Sequence, residues 1–316
     1  MIQIIRTYAG FLRLGDALLV FFLGTSLVAL KFIPDPEVRS YAANVSASFL
    51  FAGILRSVEL YRESFRHIRF VEFFGGRIAS NQFSLVYPEF TLRPRVYEVA
   101  SQNGLQRQEL FEKSSRIVGD EQFRVDLPSC AATNDLLAIT EMTAFFGKQL
   151  REPIRICPDS AHSSLQDECL MSFGLSSNQI THHWLRLLRL SSNCVQIVED
   201  PTATRYKEFI RVKSSNSGPN ATLDFKSTAD NEIGIIAKFR PDDDQPELIW
   251  FFCAGLGPAA TIGCSAYLAR KWPKLLKRFG SRDFVLIIRT QPGVEHHSRP
   301  TYGIQDCNGF ELGVLH

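Results

Sequence analysis

With 316 residues, 45% of them apolar and 22% charged, the chain can bury a sizeable core and is too apolar for wholesale disorder. A formal net charge of +2 argues against nucleic acid as a main partner. Seven cysteines, an odd number with no CxxC pair, fit a reducing cytosol better than a secreted disulfide scaffold.

Two uncharged runs open the chain. Ala17 to Leu30 is 14 residues long, and Ser40 to Leu55 is 16 residues long and rich in small side chains, with Pro34 to Arg39 between them. Both fall short of the roughly 20 residues of a spanning helix. Charge placement still favours the membrane: Arg6 and Arg13 precede the first run, and Arg56, Arg62, Arg66 and Arg69 follow the second. Residues 1–70 are therefore expected to form a helical hairpin, a two-helix anchor with the lipid bilayer as partner and both ends cytoplasmic. The alternative is a soluble hairpin that covers a sheet. Residues 71–82, with Phe73-Phe-Gly-Gly76, form a junction.

From Phe83 to the end, short apolar runs alternate with amphipathic stretches. Phe83–Tyr87, Pro153–Cys157 and Cys169–Gly174 read as strands, and Asn134 reads as the cap of a helix ending near Gly147. Ser176-Ser-Asn178 supplies capping side chains for a following helix. Val195–Val198, Phe209–Val212 and Ile233–Phe239 read as an antiparallel extension, and Lys213–Asn231 as a surface loop. Glu247–Cys253 is a buried strand, Ala254–Thr261 a glycine-rich turn, Ile262–Phe279 a helix kinked at Pro273, and Asp283–Arg289 a last strand. The tail from Gln291 has no strong period. The sum is α/β: a three-layer, Rossmann-like domain over 83–316 with a mostly parallel sheet and an antiparallel extension, preceded by the helical hairpin.

Gly255, Gly257 and Ala260 fit G-x-G-x-x-A between a strand and a helix, the setting in which backbone N–H groups meet a phosphate. Pro258 removes one donor, and Arg289 stands where a nicotinamide site needs an acid, so the expected ligand is a nucleotide or another phosphorylated small molecule. Gly255, Gly257, Thr261, Ser176, Ser177 and Asn178 are expected to line that site, with Arg289 as a phosphate partner. Glu89, Asp135 and Asp159 stand at strand exits or a helix start and are the candidate catalytic carboxylates. His182-His183 lacks the i, i+4 spacing of a zinc helix, so no metal is expected.

A two-helix hairpin fused to a Rossmann-like domain is similar, in element order, to bacterial two-transmembrane defence effectors that sense nucleotide signals. That resemblance implies a membrane-anchored sensor or effector in prokaryotic antiviral signalling. The alternatives are a nucleoside or nucleotide N-glycosidase or transferase working through the strand-end carboxylates, and a non-catalytic structural or assembly module. A homo-oligomer is compatible with all three.

Overall fold

A computed structural model describes residues 32–80, 82–89, 131–150, 153–164, 167–175, 177–181, 195–203, 206–213, 222–242, 244–305 and 308–311. The chain divides into two compact units, Met1–Gly76 and Arg77–His316.

In the first unit one helix, α1 (Pro36–Phe74), absorbs both the expected connector and the second apolar run. It starts where the sequence provides a cap. The Asp35 carboxylate accepts the backbone N–H groups of Glu37 and Val38, and Pro36 takes the first helical position, where a missing N–H costs nothing. The helix ends at Gly75, whose φ of 105° suits glycine. The membrane expectation fails on this helix. The apolar run carries Ser40, Asn44, Ser46 and Ser48, and the same helix continues through Arg56, Glu59, Arg62, Glu63, Arg66 and Arg69. Among the described residues no helix is long and apolar enough to cross a membrane. The first run, Ala17 to Leu30, lies outside the described residues.

The second unit is a mixed α/β domain. Its strands are β1 (Phe83–Tyr87), β2 (Arg155–Pro158), β3 (Cys169–Phe173), β4 (Val195–Glu199), β5 (Glu208–Lys213), β6 (Thr222–Phe225), β7 (Glu232–Phe239), β8 (Trp250–Gly255), β9 (Phe284–Thr290), β10 (Arg299–Gln305) and β11 (Asn308–Glu311). Eight of them form one sheet in the order β11-β10-β9-β7-β8-β3-β1-β2. The β2-β1-β3-β8 half is parallel, whereas β7, β9, β10 and β11 pair antiparallel with their neighbours. Only β7 and β10 therefore run against the common direction. The expected antiparallel extension is two things: β4-β5-β6 form a separate three-stranded sheet, and β7 lies in the main sheet between β8 and β9. The expected loop contains β6, and the tail without a period contains β10 and β11.

Helices α2 (Thr133–Gly147) and α3 (Pro258–Phe279) pack against each other on one face of the sheet. Phe83 of β1 meets Phe146 of α2 there, at 5.3 Å between ring centres. Ala132, not Asn134, precedes the first turn of α2, and no side chain caps it. The α3 helix runs through Pro273 and ends at Gly280. The opposite face is buried too: Ile235, Phe239, Trp250 and Phe252 are nearly inaccessible, with Phe239 and Phe252 4.9 Å apart. Residues buried on both faces explain why these strands read as continuous apolar runs.

Candidate functional site

The parallel strands β2, β1, β3 and β8 end at one edge, and most of the expected site residues are on it. Adjacent pairing of Phe173 with Cys253 sets the exits of β3 and β8 side by side. The two turns expected to meet are therefore neighbours. The elements they enter diverge. Ser172 points away from α3, and its hydroxyl meets that of Thr181 at 2.7 Å, so the chain after β3 passes to the face opposite α3.

The glycine-rich turn already holds an anion. Gly257 caps α3 and Pro258 is its first residue, a position where proline is favoured, so Thr261 stands inside the helix, buried. Glu232, the first residue of β7 and 2% exposed, extends its carboxylate to the helix start. One oxygen accepts the Ala260 N–H at 3.0 Å and the other accepts the Tyr206 hydroxyl at 3.1 Å. A Cβ on Gly257 would stand 2.3 Å from the Glu232 carboxyl carbon. The backbone of Gly257 is extended, so close approach, not conformation, demands glycine there. The positive end of the α3 dipole is thus met by a protein side chain. Arg289 lies in β9 opposite Ile233, on the face away from Glu232 and α3, and is exposed.

The second turn is built around Gly174 and Asn178. Gly174 adopts φ +84°, and a Cβ there would meet the Ser177 hydroxyl at 2.6 Å and the Asp135 carboxylate at 3.6 Å. Asn178 is fully buried; its amide donates to the Phe173 carbonyl, and its oxygen accepts the N–H groups of Ile180 and Thr181. It is a cap and not a ligand group. Ser176 lies outside the described residues, as do His182 and His183.

All three candidate carboxylates gather beside that turn, and they differ in what they do. Asp159, 1% exposed after β2, accepts the Glu89 N–H at 3.0 Å with one oxygen and the Gln179 N–H at 2.9 Å with the other. Both oxygens are engaged, and the side chain ties the exit of β1 to the helix start after β3. Glu89 accepts the Ser160 hydroxyl at 2.7 Å. Asp135, in the first turn of α2, is 7% exposed, and no hydrogen bond reaches its carboxylate from the described residues. Burial pushes its pKa from 3.8 up to about 6.

Sequence reasoning missed Glu232 and Tyr206. Tyr206 also lines a cavity of about 320 Å³ with Asp200, Glu208, Phe209 and Lys226. Lys226 there pairs with Asp200 at 2.9 Å and lies 4.9 Å over the Phe209 ring. An acid just before an apolar strand reads as a solvated strand end, so no local signal marks Glu232. Cys157, Cys169, Cys253 and Cys264 are buried free thiols, and burial pushes the Cys253 thiol up to about 12, away from nucleophilic use. Among the described residues no cluster of acids, histidines and cysteines could hold a metal ion.

No known protein family, characterised protein or solved structure matches the chain. The nucleotide-binding, signalling and antiviral defence roles expected from element order thus receive no support, and with the membrane span withdrawn they are not carried further.

Proposed function

We propose a three-layer, Rossmann-like reading of the sheet in which the crevice between β1 and β3 binds a sugar-bearing, nucleoside-type substrate and cleaves or transfers its N-glycosidic bond. Two features of the path support the layering. The chain leaves β1 for β2 by way of α2 on one face, and it leaves β3 toward the opposite face, where Thr181 meets Ser172. Connections that diverge from neighbouring parallel strands open a crevice at their carboxyl ends.

The observation that carries the chemistry is Asp135, a buried carboxyl poised near 6 at that crevice. A carboxyl with a raised pKa retains a proton to deliver near neutral pH. In this reading Asp135 gives its proton to the departing base nitrogen as the C–N bond breaks. The Glu89 carboxylate faces the oxocarbenium-like centre and takes a proton from the attacking water or acceptor hydroxyl. Asp159 is a positioning residue, because it fixes the Glu89 backbone. The phosphate set of Gly255, Gly257, Thr261, Asn178 and Arg289 is a weaker foundation, since Glu232 occupies the turn and Asn178 is consumed as a cap.

The test is incubation of the purified full chain with a panel of nucleosides, with chromatography for released base. Base release is expected, and Asp135→Asn and Glu89→Gln should each lower it at least about a hundredfold while melting remains cooperative. Nucleoside bound without turnover would overturn the catalytic roles, and the absence of both binding and turnover would overturn the whole reading.

A further inference from the structure

The α1 helix carries an exposed apolar repeat. Phe51, Ile54, Val58, Tyr61, Phe65 and Ile68 recur at alternating steps of three and four, the heptad spacing of a coiled-coil seam. All six are exposed, from 41% for Ile68 to 65% for Tyr61. The helix residues that are buried, Phe70, Phe73 and Phe74, lie round the helix from this stripe. An amphipathic helix normally buries its apolar stripe, and contiguous exposed apolar surface marks an interaction face.

We propose that α1 pairs in parallel with α1 of a second copy of this chain, through that stripe. The spacing decides the kind of partner, because a heptad seam fits the holes of another helix with the same repeat. With Phe51, Val58 and Phe65 at the a positions and Ile54, Tyr61 and Ile68 at d, the polar residues at and beside the seam decide the direction. Arg62 and Arg69 fall at e, and Ser57 and Ser64 fall at g. A parallel pair sets each g serine beside an e arginine of the other copy. An antiparallel pair that overlaps the whole stripe would instead set Arg62 beside the apolar Leu55 and would leave Asn44 opposite Gly75, past the helix end. One heptad upstream, Asn44 takes the preceding a position, and a single polar Asn at a fixes register at a cost in stability.

The area suffices as well. At roughly 90 Å² of exposed surface for each large side chain, burying the stripe on both copies removes on the order of 1,000 Å² from water, the size at which a specific interface holds. The inference is independent of the crevice chemistry.

Sedimentation equilibrium of the full chain tests it. The expected mass is twice the 35.7 kDa of one chain. Val58→Glu with Tyr61→Glu, at exposed positions that leave the helix intact, should weaken the dimer at least about a hundredfold, because two seam layers then carry charge. Circular dichroism checks that helix content is retained. Direction is read by disulfide trapping in an otherwise parental background. Ile54→Cys should cross-link to itself, whereas an antiparallel pair would link only a mixture of Ile54→Cys and Phe65→Cys. A monomer at all concentrations, a dimer indifferent to the glutamates, cross-linking only in the mixture, or association with lipid vesicles in place of self-association would each overturn the proposal.

Discussion

If Glu232 is the resident anion of the glycine-rich turn, then Glu232 and Gly257 form one energetic unit. Glu232→Ala leaves the Ala260 N–H and the Tyr206 hydroxyl without their acceptor in a buried setting. Each hydrogen bond to a charged group contributes about 1.5–3 kcal/mol, and a buried charge at a helix N-terminus up to about 2 kcal/mol more. Relief from burying the carboxylate offsets part of this, so the expected net loss is about 2–4 kcal/mol. For a domain of this size that lowers Tm by roughly 5–15 °C. Gly257→Ala forces a methyl group to 2.3 Å from the Glu232 carboxyl carbon, and such overpacking costs about 1–3 kcal/mol. With Glu232→Ala already in place the three nearest contacts of the added methyl, all atoms of the Glu232 carboxylate, are gone, so the second substitution should cost less. Thermal and urea unfolding of both single variants and the double variant should give a coupling of at least about 1 kcal/mol. Inorganic phosphate should raise the Tm of Glu232→Ala and leave the parent unchanged. Additive losses, or a Tm for Glu232→Ala within about 2 °C of the parent, would refute the plug.

The crevice gives three further expectations. Because folding raises the Asp135 pKa from 3.8 to about 6, the folded domain holds a proton that the unfolded chain has released between those values. The Asp135 contribution to stability should therefore be greatest below about pH 4 and be lost as pH rises through 6; Asp135→Asn should gain about 2–3 kcal/mol at pH 7 and well under about 1 kcal/mol at pH 4, by urea unfolding across that range. Asp159→Ala should lose about 2–4 kcal/mol, and Asp159→Asn should not rescue it, since one amide nitrogen would then face a backbone N–H donor; the same unfolding measurement decides. Gly174→Ala should cost about 1–3 kcal/mol, from its φ of +84° and the crowding at Ser177, and Ser177→Ala in the same chain should recover part of that loss in Tm.

What the sequence revealed follows from which forces act locally. The strands β1, β3 and β8 are buried on both faces, and burial of that kind writes a continuous apolar run. Gly257-Pro258 marks a helix start because proline at N1 and a small cap are local requirements. The polar strand β6, Thr222-Leu-Asp-Phe225, alternates exposed and half-buried residues in a stretch rich in Ser and Asn, and it read as a loop. Its strand character comes from pairing with β5, where Arg211 grips Asp224 through two 2.7 Å hydrogen bonds. Glu232 and Asp159 were illegible as partners for a simpler reason. Their donors lie 28 and 70 residues away, at Ala260 and Glu89, and only the closed sheet brings them together.

The two turns at the shared edge differ in where negative charge stands, and that difference separates scaffold from chemistry. At the β8 exit the carboxylate of Glu232 meets a helix N–H and a phenol, so its charge is compensated and the turn is closed. At the β3 exit Asp159 is likewise satisfied by two N–H groups, but Asp135 is buried without a donor among the described residues, and burial raises its pKa to about 6. A fold selected for stability alone replaces such a group with Asn or an apolar residue, because burying an ionisable carboxyl lowers stability at neutral pH. Asp135 gains from its place in the first turn of α2, but of the acids at this edge it is the one whose pKa burial raises. It is therefore the residue on which the catalytic proposal stands or falls.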